Sequence, residues 1–234
     1  MIALHARSAC GCRAVFECSA AASILAACGA LVGCGGAPAA VSKSALETKP
    51  APAIVLPEPR AASLQPEVTE RVEIVTNRGR IVLGLFGEAA PLTVANFLAY
   101  VDAGFYNGMI FHRVLPAFMI QGGGFDAALE RANTGPPVRL EVIPGLEHGP
   151  GIVSMARVAS EPHSATSQFF ICVAQASQLN GGYAAFGMVE EGYEVAADIS
   201  NVRTQEVQTS RGAMDDVPVD PIVIEDLRRL GATR

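Results

Sequence analysis

From Val72 to about residue 225 the chain breaks into short runs of β-branched and aromatic residues, each closed by Gly or Pro, and this segmentation constrains the fold most. Val72-Glu73-Ile74-Val75-Thr76 and Arg80-Ile81-Val82-Leu83-Gly84-Leu85-Phe86 are two such runs, joined by Asn77-Arg78-Gly79. Asn and Gly tolerate positive φ, so a tight hairpin is expected there. The period then changes. Val94, Phe97, Leu98 and Val101 fall at i, i+3, i+4 and i+7, with Pro91 near the start and Gly104 after the end. That spacing predicts an amphipathic helix over 91–103. Short β-like runs recur at 110–115, 117–121, 151–156, 168–173, 185–189 and 219–225, and a weaker helix is expected at 192–200. Many short strands, few helices and Gly-rich turns predict a mainly-β fold, an eight-stranded closed antiparallel β-barrel, since closure removes vulnerable strand edges. The roughly 165 residues from Val68 onward are ample for one core.

The first 34 residues differ in kind. Arg7 and Arg13 precede a stretch from Cys18 to Gly33 that carries no charge and is rich in Ala, with Ile24, Leu25, Leu31 and Val32. A positive region followed by a short apolar region and small residues is the pattern of an export signal. The run is shorter than the roughly 20 apolar residues that span a bilayer. Leu25-Ala26-Ala27-Cys28 and Leu31-Val32-Gly33-Cys34 both resemble the lipobox of bacterial lipoproteins, in which the Cys takes a diacylglycerol. Cys34 is the favoured lipidation site, with Cys28 as the alternative. Residues 35–67 are rich in Ala and Pro, including Pro38, Pro50, Pro52, Pro57, Pro59 and Pro66, and are expected to form an extended linker. The expected organisation is a signal at 1–34, a linker at 35–67 and one domain at 68–234, exported to the periplasm or cell envelope and anchored to a membrane by lipid.

Composition excludes several classes. There are six Cys, five of them within the first 34 residues, so no disulfide framework is expected. With Cys34 acylated, Cys172 is the lone thiol of the processed chain. From Val68 onward twelve Arg face nineteen Asp and Glu, a balance of −7. No basic run is present to neutralise phosphates, so no nucleic-acid partner is expected. Coiled-coil, collagen-like and disordered classes do not match the composition either.

Most routes to chemistry are poorly supported. No G-x-S-x-G elbow is present. His112, His148 and His163 lie in separate segments without metal-ligand spacing, and surface or turn positions are expected for them. Gly122-Gly123-Gly124 ends a strand without opening a helix, which argues against a phosphate loop. Neither metal nor cofactor is expected. What remains is Phe111-His112-Arg113-Val114-Leu115-Pro116-Ala117-Phe118-Met119-Ile120-Gln121-Gly122-Gly123. Strand alternation would put Phe111, Arg113 and Leu115 on one side, an unusual setting for an Arg. Ser164 to Val173 likewise mixes polar and aromatic residues.

The segments FHRVLPAFMIQGG (111–123), SATSQFFICV (164–173) and LNGGYAAFGMVEEG (179–192) resemble the core motifs of cyclophilin-type peptidyl-prolyl isomerases. The resemblance runs over about residues 70–230 in the family's order, and includes a closing strand in Val217–Ile224. It implies a barrel capped by two α-helices and acceleration of X–Pro bond rotation in exported proteins, assisting their folding. Arg113 matches the family's catalytic Arg, Gln121 the Gln beside it, expected to orient it, and Phe118 a further residue of that centre. Phe118, Met119, Phe170 and Leu179 match the pocket for the proline ring. Ala156 and Gln168 match positions lining the groove for the preceding residues. Arg157 stands where Asn is frequent, Tyr183 where many eukaryotic members have His, and Gln178 where the Trp associated with tight cyclosporin binding stands. The implied partners are proline-containing polypeptides, with the protein a monomer. A non-catalytic peptide-binding or chaperone module on the same fold is the alternative.

Overall fold

A computed structural model of the protein describes residues 65–210 and 212–231. The export segment, Cys28, Cys34 and almost all of the linker lie outside the described residues. Strand β1 (Glu70–Thr76) pairs antiparallel with β2 (Gly79–Leu85) across Asn77-Arg78, the hairpin expected from those turn residues. Helix α1 (Pro91–Asp102) buries Val94, Phe97, Leu98 and Val101, as the spacing predicts. Its amino-terminal N–H groups lack partners within the helix. Glu141, far along the chain, supplies them: its carboxylate accepts from Leu92 N at 3.2 Å and from Thr93 N and Oγ1, each at 2.7 Å.

Strands β3 (Met109–Leu115), β4 (Met119–Asp126), β5 (Ile152–Met155), β6 (Phe169–Cys172) and β7 (Ala185–Glu191) follow, then helix α2 (Tyr193–Ser200). A hairpin of β8 (Thr204–Thr209) and β9 (Gly212–Pro218) precedes the last strand, β10 (Ile224–Leu230). Eight strands form one antiparallel sheet in the order β10-β1-β2-β7-β5-β6-β4-β3, and β8–β9 form a separate pair.

The sheet is open and curled, a correction to the expected closed barrel. Among the described residues its end strands meet through one bridge, Ile110↔Val223, and two hydrogen bonds, Phe111 N to Ile222 O and Gly108 N to Ile224 O. Pro221 has no N–H to extend this contact, and residues 219–223 run as a loop. Asn77 pins that loop, its side chain accepting from Val223 N at 3.1 Å and donating to Pro221 O at 3.0 Å. The closing strand therefore lies at Ile224–Leu230 rather than at 219–225. The β8–β9 hairpin has too little apolar alternation to be anticipated from its residues.

The core follows from side-chain alternation. On β6, Phe169 and Ile171 point into the main cluster, while Phe170 and Cys172 belong to a second cluster on the other face. Phe97 of α1 meets Phe169 edge-on at 5.5 Å and Phe186 at 5.0 Å, and Ala196 and Ile199 of α2 join the same cluster. Each fully buried aromatic here contributes about 1.5–3 kcal/mol by area. Outside the core, the Glu73 carboxylate is enclosed by Arg80 and Arg228, and Arg80 also bonds Glu191 at 2.7 Å. The hydrogen bond from Arg80, with the charges of both Arg, holds the Glu73 carboxyl below its usual range despite burial.

Candidate active site

Strand pairing builds the floor of a cleft. Arg113 on β3 lies opposite Gln121 on β4, which lies opposite Phe170 on β6, which lies opposite Ser154 on β5. One row thus crosses four strands at the usual spacing of about 4.8 Å. Beside it runs Leu115, Met119 and Cys172. The alternation expected for β3 holds for Arg113 and Leu115 but not for Phe111. Pairing with β4 slips around Phe111, so Phe111 and Val114 enter the core while Arg113 faces out, 45% exposed at its side chain. A bulge re-aims the side chain that follows it. On its own strand face Arg113 keeps Leu115 as an apolar neighbour and loses Phe111 to the core.

Loops supply the rim. Phe118 sits in the Pro116-Ala117 turn, where Ala117 has φ 54 and Phe118 N donates to Leu115 O. Leu179 ends a 3-10 turn, Ser177–Leu179. Tyr183 stands edge-on to Phe170 at 5.6 Å, and the Arg157 guanidinium lies over the Tyr183 ring at 4.7 Å. Arg157 also donates to Gly182 O, Val158 O and Ala159 O at 2.7–2.9 Å, tying two loops together. Arg113, Phe118, Met119, Gln121, Ala156, Arg157, Phe170, Leu179 and Tyr183 surround one cleft of about 280 Å³. Gln168 lies outside it, in an adjoining hollow of about 230 Å³ that shares Gln121, Ala156 and Arg157.

The polar contacts differ from expectation at Gln121. Its amide nitrogen donates to Gln168 Oε1 at 2.9 Å. Gly124 makes room for that partner, because a Cβ there would meet the Gln168 amide at 2.5 Å. The ion partner of Arg113 is Asp216 of β9, with Oδ2 3.5 Å from Nε. Asp216 is missing from the residues that the motifs single out; Asp215-Asp216 resembles a solvated charge pair.

His112 and His148, expected at surface or turn positions, are both buried, His112 on β3 and His148 in the loop before β5. His148 accepts or donates at both ring nitrogens, Nδ1 with Asn180 Oδ1 at 3.0 Å and Nε2 with Ser154 Oγ at 2.9 Å, and it stacks behind Phe170. Asn180 Oδ1 also accepts from His148 N at 2.8 Å. This pins the end of the turn that carries Leu179. Burial lowers the His148 pKa against the opposing Asn180 bond. His112 packs on Phe125 at 4.7 Å, and its Nδ1 has no hydrogen-bond partner among the described residues. Burial, helped by the Arg113 charge, pushes its pKa down to about 4, outweighing polar neighbours at Ile110 and Gln168. His163 is exposed and accepts from Leu140 N. Among the described residues no group of three potential metal ligands occurs.

A cleft with an apolar floor at Met119 and Phe170 and two guanidiniums, Arg113 and Arg157, at its edge suits a neutral, ring-shaped group flanked by a polarisable amide. Residues 71–229, which contain the whole cleft, match the family described as cyclophilin type peptidyl-prolyl cis-trans isomerase/CLD. The chain belongs to the cyclophilin family. It is 48% identical over 162 residues to peptidyl-prolyl cis-trans isomerase A of Dickeya dadantii, covering 67% of this chain and 83% of that protein. It is 42% identical over 160 residues to peptidyl-prolyl cis-trans isomerase B of Escherichia coli, covering 65% and 94%. A crystal structure of a cyclophilin type peptidyl-prolyl cis-trans isomerase from Cryptosporidium parvum matches with a TM-score of 0.59 at 31% identity, covering 69% of this chain and 98% of that one. A second crystal structure of that protein, in the presence of the dipeptide ala-pro, matches equally well by TM-score. The resemblance to cyclophilins thus singled out nine residues that line the cleft, seven of them within the three motifs, and a tenth, Gln168, next to it. It did not single out Asp216, His148 or Asn180.

Proposed function

We propose that the domain is a peptidyl-prolyl cis–trans isomerase that binds the proline ring in this cleft and turns the preceding amide beside Arg113. The observation that carries the reading is the single row Arg113–Gln121–Phe170, which sets a permanent cation next to an apolar floor. An X–Pro bond resists rotation by about 18–20 kcal/mol through amide resonance. Its two planar forms differ by only about 0.5–1 kcal/mol, so catalysis needs only a lower barrier. At the twisted transition state resonance is lost and the proline nitrogen becomes an acceptor. The Arg113 guanidinium donates to that lone pair, or to the carbonyl oxygen, more strongly than to the planar ground state, and only such differential binding accelerates a step. Phe118, Met119, Phe170 and Leu179 grip the ring while the acyl side rotates. Ala156 and Arg157, with Gln168 beyond them, line the path of the preceding residues, and Tyr183 closes the rim.

A protease-coupled assay on an X–Pro peptide tests this reading. Removal of one such donor costs about 10²- to 10³-fold, so Arg113→Ala should fall that far below wild type. Wild type no faster than Arg113→Ala would overturn the activity. Peptide binding that survives the substitution without turnover would then point to the chaperone alternative.

The remaining proposals rest on the sequence of the first 67 residues: export, and attachment to a bacterial membrane of the cell envelope through acylated Cys34, which would make exported proline-containing polypeptides the substrates. The uncharged run and the lipobox-like tetrapeptides support this. Mass spectrometry of the mature amino terminus should find a lipid-modified Cys34, or Cys28. An unmodified residue downstream would exclude the anchor.

A further inference from the structure

The isomerase reading gives no role to the charged neighbour of Arg113. Strand β9 packs against β3 without entering the main sheet. Within the β8–β9 hairpin, Thr204↔Pro218 and Gln205↔Val217 are paired, and pairing resumes at Val207↔Met214. Glu206 thus faces two residues, Asp215 and Asp216, which is a β-bulge. Inside it Asp216 takes φ 60, the left-handed region that Asp and Asn enter more readily than other side chains. Bulges beside active sites re-aim side chains, and this one brings the Asp216 carboxylate to 3.5 Å from Arg113 Nε. Gln121, the residue expected to orient Arg113, gives its amide nitrogen to Gln168 instead.

We propose that Asp216 is a positioning residue for the isomerase reaction: its carboxylate engages Arg113 by the Nε edge, so that the terminal nitrogens stay directed at the cleft. The proposal rests on the isomerase reading above. A free Arg side chain has several rotamers, and collecting them into one at the transition state costs entropy that a prior tether removes. Both side chains are partly exposed, 45% for Arg113 and 33% for Asp216, so solvent screens the pair and the effect is modest. Asp216 acts through Arg113 and does not touch the substrate.

Two variants preserve the backbone. Asp216→Asn keeps the shape and tolerates the same φ without the charge, and Asp216→Gly relaxes the left-handed residue. In the full chain, with folding checked by thermal melting, each should lower kcat about 3- to 5-fold while KM changes less, as expected for a partly exposed ion pair. In an Arg113→Ala background neither should have any further effect. The Arg113 Nε–H resonance should shift and exchange faster with water in Asp216→Asn. Wild-type kcat in either variant, an equal loss in the Arg113→Ala background, or an unmoved Nε–H resonance would overturn the proposal. A wild-type protein that gives no turnover above the uncatalysed rate would instead overturn the isomerase reading.

Discussion

The floor and the rim of the cleft are made by different physics. The floor residues Arg113, Gln121, Met119 and Phe170 occupy paired strands, so the backbone ladder sets their positions. The rim residues Arg157, Leu179 and Tyr183 lie on loops tied by side chains: Arg157 to three carbonyls, and His148 to Asn180. A rigid floor can fix the reacting amide, while a rim of separate ties can yield to different polypeptides. Damage to the floor should therefore cost stability and kcat together, and damage to the rim should appear mainly in KM.

The largest effect is expected at Phe170, which is 4% exposed between His148 and Tyr183. Phe170→Ala should cost about 3–5 kcal/mol in urea unfolding and abolish measurable isomerisation; a loss under about 1 kcal/mol would break the claim of a stiff floor. Next is acid. The unfolded chain protonates His112 near pH 6.5, but the folded ring resists until about 4. Stability should fall between those values by an amount on the order of 3 kcal/mol, and His112→Leu should flatten that part of the profile. Glu73, held below its usual range, adds a further loss below pH 4.5 as the folded carboxylate finally takes its proton. At the rim, His148→Ala should cost about 1–3 kcal/mol and raise KM more than it lowers kcat. An unchanged KM there would mean that Leu179 needs no tie. Smallest is Arg157→Ala, with about 0.5–1 kcal/mol of stability and a modest rise in KM.

The same division explains what could be read from the residues. β6 is legible because Phe169-Phe170-Ile171-Cys172 is a short unbroken apolar run, as a strand buried on both faces requires, and α1 because its apolar residues recur at helical spacing. The cleft residues are legible through long motifs whose order mirrors the pairing of β3, β4 and β6. Closure of the sheet is not legible, since it fails at Pro221 and a loop, features that look alike in open and closed sheets. The bulge at Phe111 defeats the simple alternation that grouped it with Arg113. His148 and Asn180 meet across 32 positions, and no periodicity announces such a tie. Asp216 is the least legible of all, because its direction depends on one left-handed residue within a bulge.

Cys172 is fully buried in one cluster with Phe170 and Met119, and burial pushes its thiol pKa up to about 12. Among the described residues it is the sole cysteine. A maleimide or disulfide reagent added to the native domain therefore meets no thiolate until β6 leaves the sheet. Labelling of that one sulfur becomes a clock for rare openings of the catalytic floor. Its rate, followed with and without a proline peptide, would tell how firmly a substrate locks the domain shut.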